Sequence, residues 1–249
     1  ASEQILATNL DHVFILVPLD RETSLAWIER SLVLVHESGA DPAVILSKAD
    51  LDDRPPSFEI EVRSVTGDDP VHVVSAITGR GVDALRSYFE GNATVAMFGA
   101  SGAGKSTLVN ALIGDEQQET ADVRSGDAKG RHTTTTRHLL PLPDGGVILD
   151  TPGLRALGLW EASSGLERAF PDIEALSADC RFRDCQHDAE PGCAVRAAVE
   201  SGEIEARRLD SYHKLVAEAD AVDRQREEQR QAQGEGRRPP RRRSGRGGR

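Results

Sequence analysis

The sequence has no apolar run approaching the roughly 20 residues that a membrane-spanning helix needs, and no signal-peptide pattern at its start. Both absences point away from membrane and secretion and towards a cytoplasmic protein. Cysteine is rare: three among 249 residues, all between positions 180 and 193. An odd, clustered set in a chain without secretion signals argues against a disulfide framework and for metal ligation. Lysine is rarer than its charge class suggests, with four in the chain, so a motif that requires lysine at a fixed offset seldom arises by chance. The chain starts at Ala1 rather than Met, which reads as a fragment or a processed product.

What is present is charge, unevenly placed. The formal net charge is −11, yet residues 224–249 carry ten arginines against three acids, a local +7 that leaves −18 on the remainder. An acidic body disfavours non-specific nucleic-acid binding. The basic end reads as a solvated, disordered extension, with RNA as its electrostatic alternative. The length allows one large domain and one small one.

Strand and helix signals alternate over the first two thirds. Apolar runs predict strands at Val13–Val17, Ala43–Leu46, Val71–Val74 and Thr94–Phe98, and a hairpin from Leu139–Leu142 and Val147–Leu149. Helices are predicted at Leu25–Ser38, Gly81–Phe89 and Lys105–Ile113, while residues 52–70 give no clear signal. This alternation predicts an α/β fold with a mostly parallel sheet covered on both faces, followed by a small helical part. The expected division is 1–165, 166–223 and an unfolded tail at 224–249.

Gly99-Ala100-Ser101-Gly102-Ala103-Gly104-Lys105-Ser106 satisfies GxxxxGK[ST] between a strand and a helix, the context of a P-loop. Its glycines let successive N–H groups face phosphate oxygens, Lys105 brings a cation to the β/γ-phosphates, and Ser106, followed by Thr107, offers a hydroxyl to Mg²⁺. Asp150-Thr-Pro-Gly153 follows a strand, so that Asp150 can hold Mg²⁺ through water and the Gly153 N–H can sense a γ-phosphate. Between them, Gly130-Arg-His-Thr-Thr-Thr-Thr136 offers Thr134 to complete the Mg²⁺ shell; the alternative is the start of an edge strand. Ser47-Lys48-Ala49-Asp50 resembles an NKxD base-recognition element, whose carboxylate accepts from guanine N1–H and its exocyclic amine, and Ser75-Ala76 resembles the SA element. Ser47 stands where Asn is usual, which shortens or removes one base contact.

Cys180-x4-Cys185-x-His187-x5-Cys193 supplies three thiolates and one imidazole, a complete tetrahedral set with no position left for water. That pattern predicts one structural Zn²⁺ per chain.

The order NKxD-like, SA, phosphate loop, threonine switch, DTPG is similar to the circularly permuted GTPases. Within them GASGAGKSTLVNAL, GRHTTTTR, DTPGLR and CRFRDCQHDAEPGCAV resemble the small ribosomal subunit biogenesis family RsgA (YjeQ), over roughly residues 4–218. The resemblance implies a permuted P-loop NTPase fold and GTP hydrolysis with Mg²⁺. It also implies a zinc knuckle, partnership with the small ribosomal subunit and its rRNA, and a monomer without membrane attachment. It suggests His132 as the group that supplies rate, because Leu154 replaces the water-orienting Gln found after DTPG in many GTPases. Family members carry an N-terminal OB-fold, which this chain is expected to lack. Two other readings stay open: a nucleotide-gated RNA- or protein-binding module with little hydrolysis, and a P-loop ATPase, disfavoured by Asp50 and Ser75-Ala76.

Overall fold

Strand β1 (His12–Pro18) is buried on both faces, as its uninterrupted apolar run requires of a central strand. It pairs in parallel with β2 (Asp41–Ser47) on one side and β4 (Thr94–Gly99) on the other. The computed structural model describes residues 9–51, 57–114, 138–150 and 163–235. In full the sheet runs β3-β2-β1-β4-β6-β5, with β3 (Val71–Val73) parallel to β2, β6 (Val147–Asp150) parallel to β4, and β5 (His138–Pro141) antiparallel to β6 at the edge.

Alternation along each strand sorts the core into two layers. Ile15, Val17, Val44 and Leu46 face Ile28 and Leu32 of α1 (Leu25–Glu37) and Val62 and Val65 of α2 (Ser57–Thr66). Phe14, Leu16, Ala43 and Ile45 face Leu108 and Leu112 of α3 (Lys105–Ile113), together with Leu85 and Phe89 of a 3-10 helix, Asp83–Asn92. The Ser24 side chain caps α1 by accepting from the Trp27 N–H at 3.3 Å.

Beyond the sheet come α4 (Ser163–Ala169), α5 (Pro171–Ser177), α6 (Ala194–Ser201) and α7 (Ala206–Glu235). They share the α1 side of the core, where Phe170, Ile173 and Val195 are fully buried. Glu29 of α1, with no exposed surface, meets Arg208 of α7 at 3.0 Å, and Arg208 also bonds Asp172 and the Ala169 carbonyl. Glu37 at the end of α1 accepts from the Gly165 N–H at 2.9 Å. Among the described residues no helix is long and apolar enough to cross a membrane.

The structure adds to the sequence reading or departs from it at four points. Residues 57–66 of the unassigned stretch form α2. The segment expected to be a helix from Gly81 is wound as the tighter 3-10 form. The unfolded tail expected from Arg224 instead continues α7 to Glu235. Arg, Gln, Glu and Ala between 224 and 233 are good helix formers, and the buried Leu209, Leu215 and Ala219 nucleate the helix they extend. The expected boundary between 165 and 166 falls inside α4.

Candidate nucleotide site and zinc centre

The segments that carry Ser47–Asp50, Ser75-Ala76 and the Gly99–Ser106 motif stand at or follow the carboxyl ends of the parallel strands β2, β3 and β4, the edge where open α/β sheets bind ligands. After β4 the chain turns through Gly99–Gly104 into α3. Gly102 and Gly104 have φ of +73° and +91°, left-handed values that a side chain disfavours. The turn leads into the first turn of α3, at the positive end of its dipole. Lys105 Nζ lies at the mouth, donating to the carbonyls of Gly99 at 2.8 Å and Ala100 at 3.0 Å. Ala103 is buried, whereas Ser101 and Gly102 are exposed and Ser106 and Thr107 half-buried in the first turn of α3.

Ser47 ends β2 and is buried, and its hydroxyl donates to the Ala103 carbonyl at 2.8 Å. Lys48 follows in a left-handed conformation, φ +62°, and its Nζ donates to Asp20 at 2.6 Å. Asp50 is exposed, and its Oδ1 accepts from the Ser75 hydroxyl at 2.5 Å. Ser75 is itself fully buried: its hydroxyl also accepts from the Thr78 N–H at 3.2 Å, and its own N–H donates to the Arg80 carbonyl at 2.9 Å. Ala76 follows, half-buried. Residues 47–50, 75–76 and 99–107 are thereby brought to one rim. Asp150 ends β6, whose preceding residue Leu149 pairs with Ala96 of β4, so its backbone stands one strand from the loop. His132, Thr134, Gly153 and Leu154 lie outside the described residues.

Sequence reasoning missed Asp20 and Arg21, both in the loop after β1. Arg21 donates to the carbonyls of Ser101 and Gly102. Burial raises the Asp20 carboxyl, but Lys48 and Arg21 outweigh it and leave the group below the ordinary carboxylate range. The available signal was positional: charged residues directly after a buried parallel strand stand at the ligand edge.

The second cluster is Cys180, Cys185, His187 and Cys193, whose ligand atoms lie within 4.8 Å of one another. Cys180 Sγ is 3.8 Å from Cys193 Sγ, and His187 Nδ1 is 3.4 Å from Cys193 Sγ and 3.6 Å from Cys180 Sγ. Tetrahedral zinc with Zn–S of about 2.3 Å separates sulfurs by about 3.8 Å, so the donor set and its spacing fit Zn²⁺. The free ring nitrogen of His187 meets the Ser177 hydroxyl at 3.0 Å, an outer partner that fixes ring orientation. Burial raises the Cys180 thiol, but the N–H groups of Ala194 and Val195 at the start of α6 outweigh it and lower its pKa.

The family profile described as RsgA GTPase matches residues 1–160. The "Small ribosomal subunit biogenesis GTPase RsgA" of Streptomyces avermitilis is 51% identical over 86% of this chain and 59% of its own length. That of Methanosarcina acetivorans is 47% identical over 87% of this chain and 58% of its own. The chain therefore spans less than two thirds of the curated relatives it matches. Among solved structures, YjeQ from Thermotoga maritima is similar at 31% identity and a TM-score of 0.63, over 84% of this chain and 71% of that one. YloQ, titled a circularly permuted GTPase, is similar at 27% identity and a TM-score of 0.59, over 86% and 69%.

Proposed function

Because the chain belongs to the RsgA GTPase family, we propose that it binds GTP at the rim between β2 and β4 and hydrolyses it to GDP and phosphate. The supporting observation is the pair of contacts Ser47–Ala103 and Ser75–Asp50, which ties the base-recognition residues to the phosphate loop. Asp50 takes the guanine N1–H and amine, the Ala76 N–H faces the guanine carbonyl, and Lys48 lies along the base. The loop from Ser101 to Thr107 holds the phosphates with Lys105 through its N–H groups other than that of Ala103, which bonds the Ala100 carbonyl. Mg²⁺, expected with nucleotide in such an enzyme, would be held by Ser106, Thr134 and, through water, Asp150, and would neutralise charge on the phosphates, while the Gly153 N–H would report the γ-phosphate.

Leu154 cannot orient a water molecule, so turnover by the chain alone is slow. Rate is supplied through His132 when the partner docks. That partner is the small ribosomal subunit with its rRNA, as the names of the relatives suggest, and the chain acts on it as a monomer in the cytoplasm. The residues before α4 form the nucleotide-binding part, and those from α4 through α7 the zinc-bearing part. Zn²⁺ plays a structural role there, because four protein ligands leave it no open position.

The test is GTP and ATP turnover with and without purified small subunits. GTP-selective turnover that rises with subunits supports the proposal; turnover of ATP, or no effect of subunits, contradicts it. Leu154 also favours a second reading, a nucleotide-gated binding module, for which subunit binding would depend on GTP while phosphate release stayed absent.

A further inference from the structure

The loop between β1 and α1 carries Asp20 and Arg21 to the edge of the nucleotide site. Sheet order reverses between β1 and β4: from β1 the chain builds outward through β2 to β3, and after β4 it builds on the opposite side, with β6 beside β4 and β5 at the edge. The crevice at that reversal is where an open α/β sheet leaves room for a ligand. Arg21 fills its edge. Its Nη1 donates to the Ser101 carbonyl at 3.1 Å and its Nη2 to the Gly102 carbonyl at 2.6 Å.

Those two carbonyls matter because of how a phosphate loop works. Each N–H aimed at a phosphate belongs to a peptide whose carbonyl points the opposite way. The Ser101 and Gly102 carbonyls are the outward halves of two successive peptides: the first carries the Gly102 N–H, which faces the loop's interior, and the second carries the Ala103 N–H, which closes the turn on the Ala100 carbonyl at 3.1 Å. A planar guanidinium spanning both carbonyls fixes the tilt of both peptides at once, which a single ammonium cannot do. The fit is close: a Cβ on Gly102 would lie 2.9 Å from Arg21 Nη2. Asp20 accepts from Lys48 Nζ at 2.6 Å and pairs with Arg21 Nε at 3.5 Å. One carboxylate thus holds both the arginine on the phosphate loop and the lysine of the base element.

We propose that Arg21 is a positioning residue that presets the phosphate loop from its outer side, with Asp20 as the anchor that couples it to Lys48. The inference rests on the nucleotide reading above. Arg21 acts through peptide orientation, so it serves GDP and GTP alike. An arginine that reached the γ-phosphate in the transition state would affect turnover and spare GDP. As a surface ion pair, Asp20–Arg21 contributes little to stability by itself, so folding should survive its loss.

The experiment measures affinity for fluorescent GDP and for a fluorescent non-hydrolysable GTP analogue, with GTP turnover and thermal melting alongside. It uses the wild-type chain, Arg21→Ala, Arg21→Lys and Asp20→Asn. The expected result is a loss of about 10-fold in affinity for both nucleotides in Arg21→Ala, the size of one or two charge-assisted hydrogen bonds. Arg21→Lys recovers part of the loss, Asp20→Asn shows a smaller one, saturated turnover barely changes, and every variant still melts cooperatively. Unchanged affinity in Arg21→Ala overturns the inference, as does a loss confined to GTP turnover. If the wild type binds neither nucleotide, the nucleotide reading itself fails and this inference falls with it.

Discussion

The hydroxyl of Ser47 is 2.8 Å from the carbonyl oxygen of Ala103, and both residues are buried. A residue at the end of β2 thereby holds the phosphate loop that follows β4. Ser47→Ala should leave the Ala103 carbonyl without this donor, at about 1 kcal/mol in stability and about 5-fold in affinity for any nucleotide. Ser47→Thr should retain both. Chemical denaturation and nucleotide titration check this, and a loss restricted to guanine nucleotides would mean that Ser47 reads the base after all.

Arg208 and Glu29 join α7 to α1 with almost no solvent on either side chain. Burial lowers the Arg208 pKa, but Asp172 and Glu29 outweigh it and raise the net value. Arg208→Ala should cost about 3–5 kcal/mol, because it strands the Glu29 charge in the core. The second pairing of Glu29, to Arg207, keeps the loss towards the lower end. Urea unfolding of Arg208→Ala, Glu29→Gln and the double variant measures it. A double variant less stable than Arg208→Ala would contradict the stranded-charge explanation.

Removal of zinc should loosen the region around α5 and α6. Cys193 caps α6 and belongs to the core shared with α1, so the loss extends to the packing of α6 against α5. Structural zinc contributes an apparent ~10–16 kcal/mol in small metallo-peptides. Chelation, or Cys193→Ser, should release one equivalent of zinc, lower the melting temperature and raise amide exchange in residues 177–201. Unchanged exchange there would remove the metal's structural role.

Acid should weaken the Asp20 network in a defined direction. Its carboxyl pKa is depressed in the folded chain, so its stabilisation is complete above the ordinary carboxylate pKa and is lost as pH falls through the folded value. Melting temperatures from about pH 7 to about pH 3 should show wild type and Asp20→Asn converging at the acid end. Parallel curves would mean that Asp20 carries no such linkage.

The phosphate loop and the zinc ligands were legible in the sequence for the same reason: each is local, with its residue types and spacing set by one turn of backbone. The sheet was legible because β1 and β2 bury both faces and so leave unbroken apolar runs. What could not be read depends on contacts across the chain. Nothing near Ser47 says that its hydroxyl faces a loop 56 residues away, and nothing near Arg21 points to carbonyls 80 and 81 residues on. The end of α7 was missed because a polar composition was taken as unfolded, although its residues favour helix once a buried first half fixes the axis.

The central claim is that residues around Asp50 read the base of the nucleotide whose phosphates lie on Lys105, and reversing the base chemistry tests it most directly. Guanine offers two donors to the Asp50 carboxylate, whereas xanthine replaces the amine with a carbonyl oxygen, which a carboxamide N–H can satisfy. Asp50→Asn keeps an oxygen for the Ser75 hydroxyl and should shift preference from GTP to XTP by about 100-fold or more, with ATP still excluded. If competition binding shows Asp50→Asn still selecting GTP over XTP as the wild type does, Asp50 does not read the base and the two elements do not serve one nucleotide.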